Sequence, residues 1–217
     1  MIDPSGRIIV FGTNVANQSA AFDPGGSEPT NFVVARLNAD GSVDSSFGNS
    51  GNAFILGSSF PNSDFFGPSG EVIGVNVLDN GEIVFAFTYR GFGDDGPVQS
   101  VDVGRLGVDG SVDQSFADNG FFVRTLGTDS SIPLFQLTPS GGSAIVFDSG
   151  TDPSGLLLLD AGGGPCRRPC LASGQLDDGF GLGGGATLDF PETHDIIFDS
   201  QNRLIVAGSD RTRFLFS

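Results

Sequence analysis

The residues that could do chemistry fall into a few short clusters. Asp40-Gly41-x-x-Asp44 and Asp109-Gly110-x-x-Asp113 each put two carboxylates on one short loop, as the core of an Asp-rich calcium loop does. Calcium takes about six to eight oxygen ligands, usually from several carboxylates. Each loop here offers two Asp side chains, Asn38 joins only the first, and no Glu follows at a bidentate position. Calcium binding at Asp40, Asp44, Asp109 and Asp113 is thus one reading. The preferred one is a turn in which Asp accepts hydrogen bonds from its own backbone.

Cys166-Arg167-Arg168-Pro169-Cys170 holds both cysteines of the chain. Tetrahedral zinc would need two further thiol or imidazole ligands, and the spacing differs from the Cys-x-x-Cys redox motif. A small disulfide between Cys166 and Cys170 is the preferred reading, with two free thiols as the alternative. The paired arginines could meet a carboxylate or sulfate, or simply be solvated. His194, the sole histidine, precedes the apolar run Ile196-Ile197-Phe198. No Gly-x-Ser-x-Gly elbow or Cys-His arrangement accompanies it, so a surface or strand-start role is expected. Gly183-Gly184-Gly185 lacks the Lys-Ser/Thr of a phosphate loop. Asp94-Asp95 reads as a solvated acidic loop.

The elements that must position these groups emerge when the chain is slid along itself. Arg36-Leu37 followed by Asn38-Ala39-Asp40-Gly41-Ser42-Val43-Asp44-Ser45-Ser46-Phe47-Gly48 returns as Arg105-Leu106 followed by Gly107-Val108-Asp109-Gly110-Ser111-Val112-Asp113-Gln114-Ser115-Phe116-Ala117. A weaker third copy spans 173–181, once an insertion at 162–172 is set aside. A second motif alternates with the first: Pro4-Ser5-Gly6-Arg7-Ile8-Ile9-Val10-Phe11, Asp79-Asn80-Gly81-Glu82-Ile83-Val84-Phe85, Pro139-Ser140-Gly141-Gly142-Ser143-Ala144-Ile145-Val146-Phe147, and Ser200-Gln201-Asn202-Arg203-Leu204-Ile205-Val206. Each is a turn signal feeding a short apolar strand. The unit reads strand, turn, strand, loop, strand, Asp-Gly turn, strand, and four antiparallel strands per repeat make a propeller blade.

Composition agrees with an all-β chain. The apolar residues come in β-branched and Phe-rich runs suited to half-buried strands, with Phe 21 against Tyr 1 and Trp 0. Asp outnumbers Glu by 22 to 4, which fits turns rather than helices. A net charge of −16, with Arg as the only basic residue type, excludes a phosphate-binding stripe and hence nucleic acid. No apolar run approaches the ~18 residues of a membrane-spanning helix, so no membrane insertion is expected. The first residues lack the basic and apolar regions of a signal peptide.

The string Arg-Leu-x-x-Asp-Gly-Ser-Val-Asp-x-Ser-Phe, alternating with the Gly-x-Ile-Val-like strands, resembles the delta-60 repeat family of predicted bacterial β-propeller blades. The resemblance covers nearly the whole chain and is strongest in the first two copies. It implies an extracellular or cell-surface scaffold or ligand-binding role without catalytic residues to transfer. The expectation is a β-propeller-like array, either closed by its own ends or incomplete, of about three and a half four-stranded blades in one repeat domain, with approximate blades at 1–57 (partial), 71–127, 132–190 and 193–217 (partial). No cofactor other than calcium is expected, and the ligand would be a protein or glycan. Edge strands would pair with further blades or with another copy. Two alternatives remain: a hydrolase or lyase using carboxylates at the propeller channel, and a fragment with no role of its own.

Overall fold

Six short turns among the described residues fix the backbone. In each, residue i donates its N–H to the carbonyl of i+4 and accepts from the N–H of i+3: Asp3 to Arg7, Asn38 to Ser42, Leu78 to Glu82, Gly107 to Ser111, Thr138 to Gly142 and Asp199 to Arg203. The residue at i+3 is left-handed every time: Gly6 (φ 79°), Gly41 (85°), Gly81 (88°), Gly110 (82°), Gly141 (86°) and Asn202 (60°). This is a three-residue hairpin loop closed by a bulge residue, a position that glycine fills without strain and asparagine with little. Asp40 and Asp109 precede the left-handed residue and keep negative φ, so each Asp-Gly turn needs only its Gly in the unusual region.

The computed structural model describes residues 1–15, 30–55, 66–93, 96–126, 131–139, 141–148, 154–160, 180–182, 185–189, 192–209 and 214–216. Its strands are β1 (Ile8–Val15), β2 (Thr30–Leu37), β3 (Asn52–Ile55), β4 (Phe66–Val77), β5 (Ile83–Gly93), β6 (Gly96–Leu106), β7 (Phe121–Leu126), β8 (Ser131–Leu137), β9 (Ser143–Asp148), β10 (Gly155–Leu159), β11 (Gly185–Thr187), β12 (Glu192–Phe198), β13 (Leu204–Ser209) and β14 (Phe214–Phe216). The chain is all-β, with no helix among the described residues. The sheets run β1-β2-β3, β4-β5-β6-β7, β11-β10-β9-β8 and β12-β13-β14, with neighbours antiparallel wherever a register is defined. Two sheets thus have four strands and two have three. β4 reaches back to Phe66, past Gly67, Pro68 and Gly70, which obscure a strand in the bare sequence.

The chain divides into two compact units, the first formed by 1–114 with 118–125 and the second by 115–117 with 126 onward. Each pairs two sheets by the same rule, seen by counting from the left-handed residue of the turn that leads each sheet's second motif. In the first unit, Ile9 and Phe11 (third and fifth residues on) pack with Ile83, Phe85 and Phe87 (second, fourth and sixth). In the second, Ala144 and Val146 (third and fifth) pack with Leu204 and Val206 (second and fourth). A strand points successive side chains to opposite faces, so one motif can serve both partners. Phe rings fill the first core, with Phe32 and Phe87 centroids 4.4 Å apart and Phe121 edge-on to Phe85 at 6.3 Å. Gly104, the register partner of Phe85, leaves the space beneath that ring: a Cβ there would lie 2.3 Å from its Cζ.

Candidate functional site

The turn end of the first unit carries the four Asp residues singled out above. Asp40 accepts from the backbone N–H (2.9 Å) and hydroxyl (2.6 Å) of Ser42, and Asp109 accepts identically from Ser111. These bonds hold both carboxyls below the usual carboxylate range. Asp44 and Asp113 meet different partners. The Asp44 Oδ2 accepts from Arg36 Nε at 2.7 Å while its Oδ1 accepts from the Ser46 hydroxyl, and its pKa falls to about 2, chiefly through Ser46 and then through Arg36. The Asp113 Oδ2 lies 2.7 Å from Arg105 Nε and 2.6 Å from Nη2. Both arginines belong to the repeated Arg-Leu pair. The sequence reading noted that pair without assigning it work, although an Arg eight residues before an Asp in both copies was the available signal.

Arg36 also ties the sheets of this unit together. Only 2% exposed, it donates to the Val108 carbonyl of the second Asp-Gly turn and lies 4.4 Å from the centroid of the Phe47 ring. The backbone closes the same seam, Gly48 donating to the Asp109 carbonyl at 2.6 Å. A buried guanidinium needs its charge and donors satisfied, and here a carboxylate, a carbonyl and an aromatic face supply this. The proposed calcium ligands are therefore already engaged by the protein's own donors. Among the described residues, no group of three or more His, Cys, Asp or Glu could hold a metal ion. Cys166 and Cys170 lie outside the described residues, as do Asp94, Asp95, Gly183 and Gly184.

The opposite end of the sheets, where the longer connections leave, carries a polar cluster in the second unit. Here β12 is bulged: Thr193 pairs Gly208 and Asp195 pairs Ala207, leaving His194 as the extra residue. A bulge re-aims the side chain it carries. His194 Nε2 lies 3.0 Å from the Ser209 hydroxyl, which donates to Glu192 Oε2 at 3.1 Å. Beside them Asp148 Oδ1 accepts from Ser154 at 2.6 Å and from Thr193 at 3.4 Å. The Ser209–His194 distance suits a nucleophile and its base, but the serine proton is directed to the carboxylate and Ser209 is only 8% exposed. The arrangement clamps the strand ends. The sequence reading missed it, because strand register rather than a motif brings Ser209 to His194.

One acid stands apart. Asp102, on β6 opposite Phe87 of β5, is 3% exposed. Burial pushes its pKa up to about 7, opposed only by a hydrogen bond with Ser100, and its Oδ1 has no hydrogen-bond partner among the described residues.

Residues 4–47 match a family model described as Domain of unknown function (DUF5122) beta-propeller. The matched stretch runs from the first turn through β1 and β2 to the Phe47 corner. No curated protein and no solved structure gives a significant match.

Proposed function

We propose that this chain is a non-catalytic β-propeller segment, of the delta-60 repeat kind, serving as a scaffold or ligand-binding module of a bacterial surface or secreted protein. One observation carries the reading: both units join their sheets by the same alternation of turn-counted positions, Ile9 and Phe11 against Ile83, Phe85 and Phe87, and Ala144 and Val146 against Leu204 and Val206. A packing rule that recurs in both units is what an array of blades needs. The propeller-family match over 4–47 supports it further. Ligand contact is assigned to the end bearing Asp148, Glu192, His194 and Ser209, since propeller ligands meet the loops at one end of the blades. Edge strands would pair with further blades or with another copy.

The test is a glycan and protein binding screen on the purified chain, run beside turnover assays on polysaccharides and peptides. Saturable binding that weakens in Glu192→Gln without turnover is expected. Reproducible turnover abolished by Ser209→Ala would overturn the non-catalytic reading.

A further inference from the structure

Asparagine and aspartate can close a ring onto the next backbone nitrogen, most easily before glycine, which puts no side chain beside that nitrogen. Four such pairs lie wholly within the described residues: Asp40-Gly41, Asn80-Gly81, Asp109-Gly110 and Asn119-Gly120. In the first three the turn engages the glycine nitrogen. Gly41 donates to the Asn38 carbonyl at 2.9 Å, Gly81 to that of Leu78 at 2.8 Å and Gly110 to that of Gly107 at 2.9 Å. Their side chains are held as well. Asp40 and Asp109 accept from Ser42 and Ser111, which keeps them as carboxylates that resist nucleophilic attack. Asn80 Oδ1 accepts from the Glu82 N–H at 3.0 Å.

Asn119-Gly120 differs. It is the two-residue loop of a tight hairpin, in which Asp118 and Phe121 exchange backbone hydrogen bonds, each 3.1 Å long. Both loop residues are left-handed, Asn119 at φ 50° and Gly120 at 97°, a geometry that Asn-Gly suits. The Gly120 N–H donates to no described residue, whereas Gly51, at the same place in the first copy, donates to the Phe47 carbonyl at 2.8 Å. Asn119 is exposed, and its Nδ2 donates to Asp118 Oδ1 at 2.8 Å.

We propose that Asn119 is a site of spontaneous covalent modification, where the Gly120 nitrogen displaces ammonia from the side chain and water reopens the ring to aspartate and isoaspartate. The Gly120 nitrogen yields its proton to hydroxide and bonds to Cγ. The Cγ–Nδ2 bond then breaks, and ammonia leaves with a proton taken from water. One water adds to the resulting succinimide, and nothing is oxidised or reduced. Opening at Cγ gives aspartate. Opening at the backbone carbonyl gives isoaspartate, whose main chain runs through Cβ and is one atom longer. Either product sets a carboxylate beside Asp118 where an amide donor stood. Isoaspartate also lengthens a loop with no slack, because Gly120 packs so closely on Val112 that a Cβ would lie 2.2 Å from its Cγ1. The next residue, Phe121, is a buried ring of the first core, so the modification loosens that corner.

The experiment ages the folded full chain in mildly alkaline buffer and cuts it after arginine. Peptide 106–124 contains Asn119 and no other asparagine, so its amide-to-acid mass change reports this site alone; Asn80 is read by fragmenting peptide 37–90. Spared two hydrogen bonds that Asn80 must break, Asn119 should convert about tenfold faster. In urea, where neither turn persists, the two rates should converge. A folded-state rate at Asn119 no greater than that at Asn80 would overturn the proposal. The control is Asn119→Ser, since Ser50 fills this loop position in the first copy at φ 54°. Labelling of 106–124 by an isoaspartyl methyltransferase should grow with age in the wild type and be absent from Asn119→Ser. Labelling that persists in Asn119→Ser would place the reaction at Asp109 and refute the assignment. Ageing should lower the urea midpoint of the wild type more than that of the variant, and an equal fall in both would refute the loosening at Phe121.

Discussion

Replacing Asp102 with Asn separates the cost of a buried charge from that of a buried polar group. Burial pushes the Asp102 carboxyl from its ordinary value of 3.8 up to about 7 in the folded chain. The folded state therefore holds a proton that the unfolded state has released over the interval between these values. Unfolding free energy falls with pH wherever the native state binds more protons. The contribution of Asp102 is thus favourable in acid, declines as pH rises from about 4 to about 7, and is flat above that. Three pKa units at about 1.4 kcal/mol each set the swing at about 4 kcal/mol. The amide in Asp102→Asn is also buried and costs about 1–3 kcal/mol if unsatisfied, but that cost does not titrate. The wild-type minus variant difference should therefore move by about 2–3 kcal/mol, in favour of the variant, between about pH 5 and about pH 8. Urea unfolding followed by far-UV circular dichroism measures this, since the chain has no Trp and a single Tyr. A difference that stays constant across that interval would refute the assignment of Asp102 as an unpaired buried carboxyl.

Asp44→Asn should lower the urea midpoint more than Asp40→Asn, because Asp44 pairs with buried Arg36 while Asp40 holds only Ser42 at an exposed turn. The Asp44 pKa is depressed, so its contribution is complete above the unfolded value of 3.8 and lost as pH falls through about 2; acid titration of the Asn variant should lack that component. Gly41→Ala should cost about 1–2 kcal/mol for its left-handed backbone alone. Gly110→Ala should cost more, since its Cβ would come within 2.9 Å of the Gly48 nitrogen while that of Gly41 meets nothing; the two urea midpoints check this. Asn202→Gly, the reverse change at the sixth turn, should raise stability by a few tenths of a kcal/mol up to about 1. Millimolar calcium should leave the melting temperature where an equal concentration of magnesium puts it; a specific rise lost in Asp109→Asn would restore the calcium reading of the Asp-Gly turns.

How much of this was legible in the sequence depends on how far each feature reaches along the chain. The turns were legible because their requirement is local: one residue must take positive φ, and Gly6, Gly41, Gly81, Gly110 and Gly141 advertise it. Even so, the pattern Asp-Gly did not say which of the two residues was left-handed. Which face of a strand meets which neighbour was not legible, because Ile83-Val84-Phe85-Ala86-Phe87 is apolar at every position and buried on both faces. Alternation between apolar and polar residues, the usual guide to sheet faces, is erased when both faces are covered. The candidate site depends on longer reach still. His194 finds Ser209 across a bulged register, and Arg36 finds the Val108 carbonyl 72 residues away. Copy-to-copy comparison partly offsets this loss. Arg36 and Arg105 occupy one position in two copies, and each lies eight residues before an Asp, so a side chain with no visible local role was marked by its recurrence. In the Ser209–His194–Glu192 cluster only His194 lacks such a copy: Glu71 and Thr88 pair in the second sheet as Glu192 and Ser209 do, but Ile73 stands in the bulge of β4 where His194 stands in that of β12. A residue specific to one copy is set apart from the scaffold that the copies share, which is why the proposed ligand contact centres on His194 rather than on the repeated Asp-Gly turns.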